Sequence, residues 1–193
     1  MGCDIHIIIQ VLDPITNEFK FVRESVNTSQ KIRVDEHLTF VIYSDESNEK
    51  LILMSSDELK DSLVEHAGCQ VDECECQYDF NIQFHIKRDY RLFAKIANVR
   101  SYGESEGNME SRGLPNDASD ILEHIFYETQ YDIALCECID PGNLHSHTYL
   151  YDYEIENLNI DDSQGLKELK QLLIRANDNF PGLESRFIIA FDN

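Results

Sequence analysis

The sequence predicts an α+β fold, a mixed but mainly antiparallel sheet with about four helices packed on it. Three observations carry this reading. Short β-branched and apolar runs bounded by turn residues occur at both ends of the chain and between them. Four other stretches place apolar residues at helical spacing. The two kinds of segment are mixed irregularly, without the strand–helix–strand alternation that builds a parallel sheet. With 193 residues, 42% hydrophobic and 10% aromatic, the chain suits a single domain over 1–193 with a core of its own.

Taken in order, Asp4–Val11 reads as a strand, Asp13–Glu18 as a turn, and Phe19–Val22 as the returning hairpin partner. Leu38–Tyr43 and Leu51–Met54 read as a second hairpin around the polar Ser44–Asn48. A helix is expected from Ser56, as its cap, to His66, with Leu59, Leu63 and Val64 inward. Gly68–Tyr78 is an acidic loop, Phe80–Ile86 a strand, and Asp89–Val99 a helix burying Leu92, Phe93, Ile96 and Val99. Ser101–Ser111 is polar and glycine-rich. Pro115, Asn116 and Asp117 look like a helix start, continued by Ile121, Leu122, Ile125 and Phe126. Asp140–Asn143 is a turn, Ser163–Ala176 a helix, and Arg186–Phe191 the closing strand.

Acids outnumber bases 37 to 16, a formal charge of −21. Such a surface repels nucleic acid and anionic membranes, so neither direct nucleic-acid binding nor a membrane partner is expected. No apolar run reaches the length of about 18 residues that a spanning helix needs. Ile5–Leu12 is too short for a signal peptide and lacks a basic flank, and His6 stands where a myristoylation motif requires Ser or Thr. A cytoplasmic protein is therefore expected. Its cysteines, at 3, 69, 74, 76, 136 and 138, then read as reduced, packed thiols. The two C-x-C pairs depart from the wider spacing of structural zinc sites.

Asp4 and His6 lie two apart on a strand, so both side chains leave the same face. Asp192 follows the last strand and joins them if the first and last strands are neighbours. His145-Ser146-His147 offers two more imidazoles at alternating positions. Asp4, His6, His145, His147 and Asp192 together make a ligand set for a divalent metal such as Zn, Mn or Fe. Taken singly, each reads better without a metal, His6 as a core histidine, Asp4 as a strand-end cap, and His145 and His147 as ordinary loop residues; the set carries the expectation. Cys3 cannot serve His6 as a nucleophile partner, because residues three apart on a strand face opposite sides.

Six of the sixteen basic residues, Lys87, Arg88, Arg91, Lys95, Arg100 and Arg112, fall within 87–112. A positive patch on so acidic a chain focuses an anion, and the planar guanidinium fork suits phosphate. Arg88, Arg91, Arg100, Arg112 and Asp117 are the expected substrate-binding residues. The alternative is that these arginines pair with neighbouring acids and hold the fold together.

Met1-Gly2-Cys3-Asp4-Ile5-His6, Arg91-Leu92-Phe93-Ala94 with Asn98-Val99-Arg100, and Arg112-Gly113-Leu114-Pro115 with Asp117 form three distinctive blocks. His145–Leu150 and Phe191-Asp192-Asn193 add two more. In this order they resemble a family of small uncharacterised bacteriophage and prophage proteins that begin with MGCDIH. The blocks run from end to end, while the acidic segment at about 24–78 is specific to this chain. Arg91 departs from the resemblance, which carries an acid or neutral polar residue there. The resemblance implies a viral or phage-like origin and no stated activity.

The expectation that joins these signals is a metal-dependent hydrolase acting on a phosphorylated small molecule or nucleotide. Asp4, His6, Arg100 and Arg112 would carry the catalysis. The alternatives are a viral protein that sequesters a nucleotide signal without turnover, and an acidic DNA-mimic decoy that binds a host protein.

Overall fold

The computed structural model describes residues 5–25, 33–34, 40–41, 51–59, 80–81, 83–101, 107–127 and 144–191. Nine strands are seen among them: β1 (Ile5–Asp13), β2 (Glu18–Ser25), β3 (Arg33–Val34), β4 (Phe40–Val41), β5 (Leu51–Met54), β6 (Phe80–Asn81), β7 (Gln83–His85), β8 (His145–Tyr151) and β9 (Ser185–Phe191). Seven make one sheet in the order β5-β2-β1-β9-β8, with β6 pairing β2 and β7 pairing β1. All of its pairings are antiparallel. The helices are α1 (Tyr90–Ala97), α2 (Asp120–Tyr127), α3 (Asp152–Asn157) and α4 (Gln164–Asn179). The protein is thus α+β.

The central strands explain the layering. β1 and β9 are almost wholly buried because both faces of the sheet are covered, which is why they read as continuous apolar runs. Ile5, Ile7, Ile9 and Val11 join Phe187, Ile189 and Phe191 in a core closed by α1, α3 and α4. Ile8, Ile188 and Ala190 point the other way, into a second core with Phe21, Met54, Leu59, Ile121 and Leu122. Each of these large side chains contributes roughly 1.5–3 kcal/mol by leaving water, so the two cores rather than local propensity hold the helices in place.

The helix ends show the local chemistry. Asp89 caps α1 by accepting from the backbone N–H groups of Arg91 and Leu92, and Asn98 ends it in the left-handed region at φ 55°. Ser163 caps α4 by accepting from Leu166 N. The Asp89 carboxylate also accepts from Ser163 Oγ at 2.7 Å and Gly165 N at 3.2 Å, so one side chain ties the starts of both helices together.

Several expectations are corrected. Among the described residues, Leu51–Met54 does not pair with Phe40–Val41, the described part of the expected partner at 38–43. It adds to β2 with Met54 opposite Phe21, a match of two buried side chains, while Phe40–Val41 pairs with Arg33–Val34. The helix at 56 is capped by Ser55, not Ser56: Ser55 Oγ accepts from Glu58 N and the Glu58 carboxylate accepts from Ser55 N. Residues 56–59 are helical, and the rest of that predicted helix lies outside the described residues. Within Phe80–Ile86 the described residues form two short strands, Phe80–Asn81 pairing β2 and Gln83–His85 pairing β1, and residue 82 lies outside the described residues. The helix expected from Pro115 starts at Asp120, after a turn closed by Ala118 N donating to Pro115 O. β8 and α3 were not foreseen as elements. No helix among the described residues is long and apolar enough to cross a membrane.

Candidate functional site

The registers of β1, β9 and β8 lay the second face of the sheet out as rows. Ile8, Ile188 and Tyr149 form one row, and Gln10, Arg186 and Tyr151 another. His6 pairs with Ala190, and β8 bulges beside that pair: His145 opposes Phe191 and Thr148 opposes Ile189, so Ser146 and His147 together stand against Ala190 alone. Ser146, at φ 53°, takes up the extra length. A polar row with His6 and a polar row with Arg186 are therefore separated by an apolar one. Four residues along a strand put about 13 Å between them.

The bulge decides what the two β8 histidines can do. Strict alternation would put His145 and His147 on one face. Instead His145 shares the face of Phe191, with ring centroids 6.3 Å apart, and its Nδ1 lies 2.9 Å from Ser146 Oγ. His147 is next to Thr148, which shares the face of Ile189, so alternation turns His147 to the opposite side, the side of His6. His6 also pairs across the other edge of β1 with His85, and their rings meet edge to face at 5.5 Å. His85 was missed in the sequence. Its only signal was its place at the end of an alternating run, which says nothing about which strand it will join.

Asp4 and Asp192 lie outside the described residues, as do all six cysteines. Asp4 precedes Ile5, and Asp192 follows Phe191, the members of one β1–β9 pair. Among the described residues, no three His, Cys, Asp or Glu side chains are grouped closely enough to hold a metal ion. The described histidines therefore fit a metal only if carboxylates complete the set.

The predicted arginines are dispersed. Arg91 donates from Nη1 and Nη2 to the carbonyls of Asp161 and Asp162, at 2.9 and 2.7 Å. Arg88 is exposed. Arg100 has a backbone φ of 56° and its guanidinium lies 5.8 Å from the centre of the Tyr90 ring. Arg112 makes a fork–fork pair with Glu154, at 2.9 and 2.6 Å, and lies over the Tyr149 ring. Burial works to raise the Glu154 pKa, but the Arg112 pair and the bond from Tyr151 N outweigh it and hold the carboxyl below its ordinary value. Arg112 is thus paired with a neighbouring acid, as the alternative weighed in the sequence has it, while Arg91 is held by backbone carbonyls and lies 3.9 Å from the Asp89 carboxylate.

Asp117 belongs to the second polar row. Arg186, 1% exposed, donates from Nη1 to Asp117 Oδ1 at 2.5 Å and from Nε to Gln10 Oε1 at 2.9 Å. Its guanidinium carbon sits 3.7 Å from the centre of the Phe19 ring. Burial pushes the Tyr151 phenol up, against the pull of Arg186. Arg186 was read in the sequence only as the first residue of a strand, since nothing local marks an arginine as buried.

Comparison of the chain with protein-family models, with curated proteins and with solved structures finds no match.

Proposed function

We propose that the protein is a metal-dependent hydrolase of a phosphorylated small molecule or nucleotide, working in the cytoplasm of a host cell and of phage-like origin. One observation carries the reading. His6 is flanked by His85 on one neighbouring strand and, across the small side chain of Ala190, by the bulge that turns His147 to the same face. In this proposal Asp4 and Asp192 supply the carboxylates, and the metal is Zn, Mn or Fe, within the donor preferences of imidazole and carboxylate. His145, turned toward Phe191, is left out of the ligand set. A bound divalent ion would lower the pKa of water and make hydroxide available near neutral pH. Arg100 is the proposed phosphate contact. Arg112 would first have to release Glu154.

The test is metal content of untagged protein, comparing wild type with His6→Ala and His85→Ala. About one equivalent in wild type, lost in His6→Ala and reduced in His85→Ala, supports the site and directs a screen of phosphate esters. Absence of metal from wild type after incubation with Zn, Mn and Fe refutes the hydrolase. Nucleotide recovered unchanged from metal-loaded protein would favour sequestration over turnover.

A further inference from the structure

Arg186 is the most buried charge described on the sheet, and the groups around it differ in kind. Gln10, Tyr151 and Phe19 belong to β1, β8 and β2, strands fixed by the core. The carboxylate partner is different. Asp117 is 61% exposed and belongs to the irregular stretch 107–118. That stretch crosses the open edge of β8, with Met109 on the first core and Leu114 and Ala118 on the second. Gly113 N donating to His147 O, and Met109 N donating to Lys95 O, pin it on the way.

A guanidinium buried against Phe19 and Tyr151 needs an anion, because a lone buried cation is costly. The fold meets that need from the solvent side, through one carboxylate oxygen on an exposed side chain. Arginine favours a two-oxygen contact with carboxylate or phosphate, and Asp117 presents only Oδ1 to Nη1. The geometry points to a binding site for a small oxyanion, phosphate or carboxylate, centred on Arg186 and occupied in the free protein by Asp117 as a built-in competitor. Gln10 holds the guanidinium plane through Nε, Phe19 covers one face, and Asp117 swings out when the ligand enters. This site is independent of the proposed metal centre. About 13 Å and the apolar row of Ile8, Ile188 and Tyr149 separate the two.

The experiment follows the Nε–H NMR signal of Arg186, and the backbone amide signals of Gln10 and Tyr151 in every variant, while inorganic phosphate or acetate is titrated at constant ionic strength. Wild type, Asp117→Asn and Arg186→Gln are compared. Removing the competitor should lower the apparent Kd for at least one of the two anions by tenfold or more, with a saturating shift of the Arg186 signal. The anion that gives the tighter response identifies the ligand class. An unmoved signal in Asp117→Asn with both anions overturns the proposal. So does binding that persists in Arg186→Gln, or an Asp117→Asn protein that fails to fold and is rescued by neither anion. If Arg186→Gln does not fold, the titration of Asp117→Asn still decides, because it reads the arginine itself.

Discussion

Replacing Asp89 by Ala should cost about 3 kcal/mol, and the structure shows where the loss arises. The carboxylate accepts four hydrogen bonds: from Arg91 N at 3.1 Å, Leu92 N at 3.4 Å, Ser163 Oγ at 2.7 Å and Gly165 N at 3.2 Å. The first two are the N-cap of α1, whose removal typically costs about 1 kcal/mol. The other two leave a hydroxyl and an N–H at the start of α4 without an acceptor, at roughly 1 kcal/mol each. Burial of Asp89 works to raise its pKa, but the bonds from Ser163, Gly165, Leu92 and Arg91 prevail and hold it below its ordinary value. A carboxyl lowered in the folded state stabilises fully above its unfolded pKa of about 4, and that stability is lost as pH falls through the folded value. Urea denaturation at pH 7 should therefore show a drop of about 3 kcal/mol for Asp89→Ala. Part of that difference should vanish as the pH is lowered from about 5 to 3, because wild type loses what the variant never had. Asp89→Asn, which keeps one acceptor oxygen, should fall between. A loss below about 0.5 kcal/mol for Asp89→Ala, constant with pH, would refute the idea that this side chain joins the two helices.

Gly165→Ala should destabilise by about 1–3 kcal/mol, since the added Cβ would come within 2.8 Å of Asp89 Cβ and 3.1 Å of Leu92 Cδ2; equilibrium unfolding measures it, and an unchanged midpoint would mean that the helices part easily. A double-mutant cycle on Arg112→Met and Glu154→Gln should give a coupling of about 1 kcal/mol, because the pair is bidentate but only partly buried. The lowered Glu154 carboxyl implies that this coupling is present near pH 7 and fades as the pH falls below about 4; a coupling independent of pH would contradict the assignment. His147→Ala should lower metal uptake whereas His145→Ala should leave it, because the bulge puts His145 on the face of Phe191 and His147 on that of His6. Metal analysis of the two folded variants reads this directly, and full retention of metal in His147→Ala would remove His147 from the proposed set.

The way these elements were read, or missed, follows from where their causes lie. β1, β9, α1 and α4 were legible because alternation or helical spacing and a capping residue all lie within a dozen positions, and each marks a burial that any fold of this chain must satisfy. The start of α2 was misplaced because Pro115-Asn116-Asp117 has the composition of a helix start, while Asp117 is drawn away by an arginine 69 positions later. The pairing of Leu51–Met54 was misread because strand partners are chosen by long-range packing, here Met54 against Phe21, and not by nearness in sequence.

By itself the sequence determined the α+β class, the strongly acidic surface and the identity of the terminal strands, since these depend on composition and short-range periodicity. It also marked His6 and His147, but as members of a list. Only the tertiary structure decided which of these side chains meet. β1 lies against β9 in a register that brings Gln10 to Arg186 across 176 positions, and His6 to His85 on the other edge. One inserted residue at Ser146 sends His145 and His147 to opposite faces. The physical reason is that a strand's side-chain period is two, so faces depend on register and bulges, and those are set by long-range packing that leaves no mark in the local sequence.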